Sequence, residues 1–149
     1  MTGSASVTAY LTASPAKDAI EFYKKAFGAE EIYRLTDDDG IIGHAEMKIG
    51  ETTLMLSDEY LEHGAIAPTT LKGTSVAFVL ELPDVDAAFQ RAVDAGARVS
   101  RPIADAPYGR GGWLFDPFGH RWNVMTSNPD FNPDEMKDPA TWDTTAAKA

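Results

Sequence analysis

His44 and Glu46 stand two residues apart in the run Gly43-His44-Ala45-Glu46-Met47. On a strand that spacing puts both side chains on one face. An imidazole beside a carboxylate can act as a general base with its orienting partner. The same pair can begin a divalent-metal site, or simply make hydrogen bonds on a partly solvated face; the spacing leaves all three open. A second group is Tyr108-Gly109-Arg110-Gly111-Gly112-Trp113, in which small residues flank an arginine between aromatics. Glycines allow close backbone approach to a ligand, and the Arg110 guanidinium offers a planar donor fork for a carboxylate or other anion. The alternative is an arginine bridged to an acidic neighbour such as Asp116. Tyr10, Trp113, Phe115 and Trp122 could line a pocket for a flat organic ligand, or be plain core. Because strand side chains alternate, Trp122 and Asn123 face opposite ways and cannot both line it.

Other chemistries are excluded. The 149 residues contain no cysteine, which removes disulfides, thiolate metal sites and cysteine nucleophiles. Of the other two histidines, His63 in a linker has no partner readable from sequence, and His120, in the turn before the last strand, reads as a turn or surface group. No nucleophile–base triad, phosphate-cradling loop or dinucleotide fingerprint is present. A net charge of -10 argues against nucleic acid and is compatible with cationic ligands. No run has the length of a membrane span and the N-terminus lacks a signal-peptide layout, so a cytoplasmic protein is expected, without a membrane partner.

The elements that must position these residues come in two copies. Ala16, Ala19, Ile20, Tyr23 and Phe27 follow the helical period, with Ser14-Pro15 as the expected capped start and Gly28 as the stop. Val85, Ala88, Phe89, Ala92 and Val93 repeat that face before Gly96, 68 positions after Gly28. Strands are expected at 5–12, Glu30–Thr36, Ile41–Ile49 and Thr52–Ser57. In the second copy they are expected at Ser75–Leu82, Arg98–Arg101, Gly112–Phe115 and Arg121–Thr126, with Pro102–Arg110 as an irregular connection. A strand–helix–three-strand unit cannot bury its own sheet face, so two copies pack together. The expected fold is α+β: tandem βαβββ units, about 5–57 and 73–127, forming a half-open curved sheet in one domain, 1–127. Residues 128–149 read as an acidic C-terminal tail, either loosely ordered or folded back over the domain with Phe131 and Trp142 as candidate anchors.

Ala19-Ile20-Glu21-Phe22-Tyr23-Lys24-Lys25-Ala26-Phe27-Gly28-Ala29 resembles the helix-plus-glycine signature of the vicinal-oxygen-chelate superfamily. Asp116-Pro117-Phe118-Gly119-His120-Arg121-Trp122 resembles its Asp-Pro-x-Gly turn before the last strand. With Leu54-Met55-Leu56-Ser57-Asp58, the chain is similar to the PhnB-like branch of the glyoxalase/bleomycin resistance proteins over about residues 5–127. That resemblance implies the glyoxalase/bleomycin resistance fold and a homodimer. It also implies four metal-ligand positions, which fall near Thr8, near Ala77 or Val76, and at Met55 and Asn123. Threonine, methionine, alanine and asparagine do not make a site for a hard or borderline divalent cation.

The expected function is therefore metal-independent binding of a small organic ligand in the cup between the repeats, with no cofactor. Tyr10, Met55, Tyr108, Arg110, Trp113 and Asn123 are the candidate ligand-binding residues. The alternative is a lyase, isomerase or dioxygenase-like enzyme on a small oxygenated substrate, using His44 and Glu46 as catalytic residues with or without a divalent metal.

Overall fold

The computed structural model describes residues 3–141 and folds each repeat into its own four-stranded sheet. Strand β1 (Tyr10–Thr12) leads into helix α1 (Ala16–Phe27), then β2 (Glu30–Thr36), β3 (Ile42–Ile49) and β4 (Thr52–Ser57). A short helix α2 (Pro68–Leu71) lies in the linker. The second repeat runs β5 (Ala77–Glu81), α3 (Val85–Asp94), β6 (Arg98–Ala106), β7 (Gly109–Phe115) and β8 (Arg121–Ser127). The sheet orders, β1-β4-β3-β2 and β5-β8-β7-β6, are one permutation used twice, with first and last strands parallel in both. This is the expected α+β tandem architecture. Among the described residues no helix is long and apolar enough to cross a membrane.

Helix α1 buries Ala16, Ala19, Ile20, Tyr23 and Phe27, and Gly28 ends it at φ +67 with its N–H on the Lys24 carbonyl. Its start differs from expectation. Ser14 provides no cap; the Asp58 carboxylate at the end of β4 accepts from the Ala16 N–H at 2.8 Å and from the Ile42 N–H at 2.7 Å. Helix α3 carries its own cap, Asp84, which accepts from the Ala87 N–H at 3.2 Å.

The two helices pack together, and the Arg91 Nε donates to the Ala26 carbonyl at 3.2 Å. Leu11, Ala45, Met47 and Leu56 of one sheet and Leu114, Trp122 and Val124 of the other join them in one core. Trp122 is thus core, its ring 4.7 Å from that of Phe27 and 4.9 Å from that of Phe78. Beneath it Asp116, only 4% exposed, gathers four donors. Tyr23 Oη donates at 2.6 Å, Trp122 Nε1 at 2.9 Å, and the Phe118 and His120 N–H groups at 2.9 Å each. Burial first, then the Asp116 charge, pushes the Tyr23 hydroxyl well above the usual phenol range. His120 is also buried, its Nε2 3.0 Å from the Thr12 carbonyl, so the turn that reads as a surface feature joins the repeats.

Two strands depart from the sequence reading. Strand β1 is shorter because pairing with β4 ends where the Met55 N–H meets the Ala9 carbonyl; Val7 beyond it is fully exposed. Strands β6 and β7 are longer, and only Pro107-Tyr108 separates them. Pro102 is tolerated because β6 is an edge strand with register shifts on both sides of Arg101. The glycines of β7 serve close packing. A Cβ on Gly111 would lie 2.7 Å from the Met125 Cβ, and one on Gly112 would lie 2.7 Å from the Phe89 ring.

Candidate functional site

Each sheet turns alternate residues toward the helices, leaving an outward face. On the first sheet one outward row crosses all four strands: Tyr10 beside Met55, Met55 beside Glu46, Glu46 beside Tyr33. His44 lies next along β3. Its Nδ1 is 2.8 Å from Tyr10 Oη and its Nε2 is 3.3 Å from Glu46 Oε1, which also accepts from Tyr33 Oη at 3.1 Å. A neutral imidazole satisfies this chain when Nε2–H donates to Glu46 and Nδ1 accepts from Tyr10. Partial desolvation first, then the Glu46 carboxylate, holds the Tyr33 hydroxyl above the ordinary phenol range. Chemically the cluster can polarise Tyr10 as an acid or base toward anything resting on the sheet.

The second sheet carries unlike chemistry. Its outward rows are Val79, Asn123, Trp113 and Arg101, then Ala77, Arg121, Phe115 and Arg98. The Arg121 guanidinium lies 3.9 Å from the Trp113 ring centroid, and that of Arg98 lies 4.7 Å from the Phe115 centroid. A cavity of about 380 Å³ opens here, lined by Arg101, Tyr108, Trp113, Asn123, Met125 and Met136 among others. Met136 comes from the C-terminal segment, which folds back over the sheet. The Asn128 amide donates to the Pro107 carbonyl at 3.0 Å, and the Phe131 ring meets Tyr108 edge-on at 6.2 Å. Trp142, the other expected anchor, lies outside the described residues.

Arg110 stands apart from both groups. Its Nε and Nη2 donate to Asp86 at 2.9 and 2.8 Å, and its Nη1 donates to Asp105 at 3.1 Å. These bonds raise the guanidinium pKa further and hold the Asp86 carboxyl below its usual range. The fork is therefore occupied from α3 and β6. Asp116, the partner suggested by sequence, is committed to the core.

Of the candidates, the structure gathers Tyr10, His44, Glu46 and Met55 on one sheet and Tyr108, Trp113 and Asn123 on the other. A larger cavity of about 880 Å³ does lie between the repeats, but it is lined by Leu54, Val79, Leu80, Ala88, Trp122 and their neighbours, not by these residues. The metal positions implied by resemblance do not fit a divalent cation. Thr8 lies in the exposed N-terminal arm, Met55 offers a thioether and Ala77 no donor. Among the described residues no three His, Cys, Asp or Glu side chains gather as ligands. Sequence reading missed Tyr33, Arg101, Met125 and Met136. Register shifts between Glu31 and Tyr33 and beside Arg101 break the period-two count that would have placed the first two.

Comparison with known proteins gives this geometry a context. The family model described as Glyoxalase/Bleomycin resistance protein/Dioxygenase superfamily matches residues 7–124. An uncharacterized protein of Mycobacterium bovis is 40% identical over 132 residues, covering 86% of this chain and 87% of its own. A PhnB protein from Bacillus cereus superposes with a TM-score of 0.65 at 20% identity, over 83% of this chain and all of its own. The fosfomycin resistance protein FosX from Listeria monocytogenes does so with a TM-score of 0.64 at 16% identity, over 87% of this chain and 98% of its own.

Proposed function

This chain belongs to the glyoxalase/bleomycin resistance protein/dioxygenase superfamily, and from that premise we propose that it is a metal-independent small-molecule-binding protein. The ligand is a flat organic molecule held on the outward face of the second repeat. One observation carries the reading: a cavity of about 380 Å³ on which Tyr108, Trp113 and Asn123 converge with two methionines. Aromatic walls, polarisable thioethers and a single amide are the usual furnishing of an organic-ligand pocket. The unsuitable donor set at Thr8, Met55, Ala77 and Asn123 supports independence from metal. That one protein of this fold is a fosfomycin resistance protein is consistent with handling a small molecule; drug resistance here is a narrower claim. The open outer strands β1 and β5, with Val79 61% exposed, suit a homodimer that covers them.

The test is calorimetric titration of chelator-dialysed protein with bleomycin and a panel of flat aromatic compounds, with light scattering on the same sample. At least one compound should bind to a species of dimer mass, and Trp113→Ala should weaken it about tenfold or more. Absence of heat and melting shift across the whole panel would sink the reading, as would binding that requires added divalent ion.

The chain Tyr10–His44–Glu46–Tyr33 favours a second reading, acid–base catalysis on a small oxygenated substrate. His44→Gln separates the two: an enzyme loses turnover with binding retained, whereas a pure binder converts nothing before or after the change.

A further inference from the structure

We infer that the cavity on the second repeat selects an anion, a flat aromatic carboxylate whose ring lies against Trp113 and whose charge is taken by Arg101. This rests on the binding reading above and adds the ligand's chemical class to it. The protein carries a net charge of -10, yet the outward face of this sheet presents Arg98, Arg101 and Arg121. Among the described residues none of the three lies within ion-pair distance of a carboxylate, whereas Arg34 is paired with Glu31, and Arg110 with Asp86 and Asp105. In so acidic a chain, three arginines on one face with no carboxylate in ion-pair distance among the described residues mark where negative charge can be supplied from outside.

Arg101 is the one that lines the cavity. It sits opposite Trp113 between two register shifts, from Val99 to Arg101 and from Arg101 to Ala104. Bulges of this kind re-aim a side chain out of strict alternation and recur beside binding sites. The carboxylates that line the two cavities do not pair with it. Asp105 also lines the cavity, but its Oδ1 accepts from Arg110 at 3.1 Å. Glu81 stands on the far edge strand β5 and lines the other cavity.

The ring site is prepared in the same way. Trp113 is held by the Arg121 guanidinium 3.9 Å from its centroid, so its orientation is set before a ligand arrives. Among the described residues Asn123 makes one side-chain contact, 3.7 Å to the Met125 sulfur, which leaves its carbonyl oxygen and one N–H for a ligand substituent. A cationic ligand, the class with which the overall charge is compatible, would meet the like charge of Arg101 here.

Three probes of one shape decide the matter in calorimetric titrations: 1-naphthoate, the neutral 1-naphthamide and the cationic 1-naphthylmethylamine. Wild-type protein should prefer naphthoate over the amide by about tenfold or more, the range of a charge-assisted hydrogen bond. Arg101→Gln should bring naphthoate down to the amide's affinity while leaving the amide itself nearly unchanged. If the amide or the amine binds wild type as well as naphthoate, or Arg101→Gln keeps the preference, the anion assignment is wrong and the binding reading stands. If none of the three binds wild type, both the assignment and an aromatic-ligand cavity fail together.

Discussion

Asp116→Ala removes at least about 4 kcal/mol of folding stability and leaves a chain that is marginal or unfolded at room temperature. Among the described residues the carboxylate is the one acceptor for Trp122 Nε1 and for Tyr23 Oη, and it ties down the N–H groups of Phe118 and His120. Alanine strands all four donors in a site where Asp116 is only 4% exposed, and each buried orphan costs roughly 1–3 kcal/mol before water enters. Asp116→Asn should cost less, about 2 kcal/mol, because its amide oxygen still serves part of the set while its N–H₂ confronts other donors. Urea unfolding with an unchanged slope checks both values. An alanine variant with a wild-type midpoint would remove Asp116 from its place at the centre of the core.

Burial of Tyr23, and then the Asp116 charge beside it, gives the fold an alkaline signature. The Tyr23 hydroxyl titrates higher in the fold than in the unfolded chain, where its pKa is about 10. The linked stability is fully present below that value and disappears as pH rises through the folded one. In Tyr23→Phe that part of the alkaline loss is absent.

Gly109→Ala is expected to cost about 3 kcal/mol, against about 1 kcal/mol for Gly28→Ala. Both glycines have positive φ, +152 and +67, so both substitutions strain the backbone. They differ in space. Nothing lies within 4 Å of a Cβ on Gly28, whereas one on Gly109 would overlap the Thr126 carbonyl oxygen and approach the Ser127 Cα to 3.0 Å. Those atoms are backbone of β8, so relief requires parting β7 from β8 beside Tyr108. The variant should therefore also weaken ligand binding. Thermal melts of the two variants side by side provide the check, and equal losses would show that the close approach of the strands carries no energy.

Helix α1, its glycine stop and strands β2 and β4 were legible from sequence because their signals are local: a 3.6-residue period, a left-handed glycine, alternation between turns. The pairing of His44 with Glu46 was legible for the same reason, since an unbroken strand carries a period of two; that Tyr10 joins them was not, because it depends on the register of β1, β4 and β3. What escaped depends on distant residues. Asp58 displaces Ser14 as the cap of α1 from 42 positions away, and Asp86 reaches Arg110 from 24 positions away. Pro102 and Gly109-Arg110 read as an irregular connection by composition. They sit in strands because β6 is an edge and because β7 lies too close to β8 and α3 to admit side chains. Arg101 and Tyr33 were hidden by bulges, which change the face of a residue without any mark in composition.

The contacts across the repeats have an evolutionary consequence. Tyr23 to Asp116, Thr12 to His120 and Ala26 to Arg91 each join one copy of the unit to the other. After a duplication, two copies bound at such a seam cannot drift there independently, because a change on one side strands a partner on the other. The outward faces carry no such mutual obligation. Divergence is thereby channelled away from the seam, and a single ancestral face has room to become an acid–base chain in one copy and a row of arginines in the other.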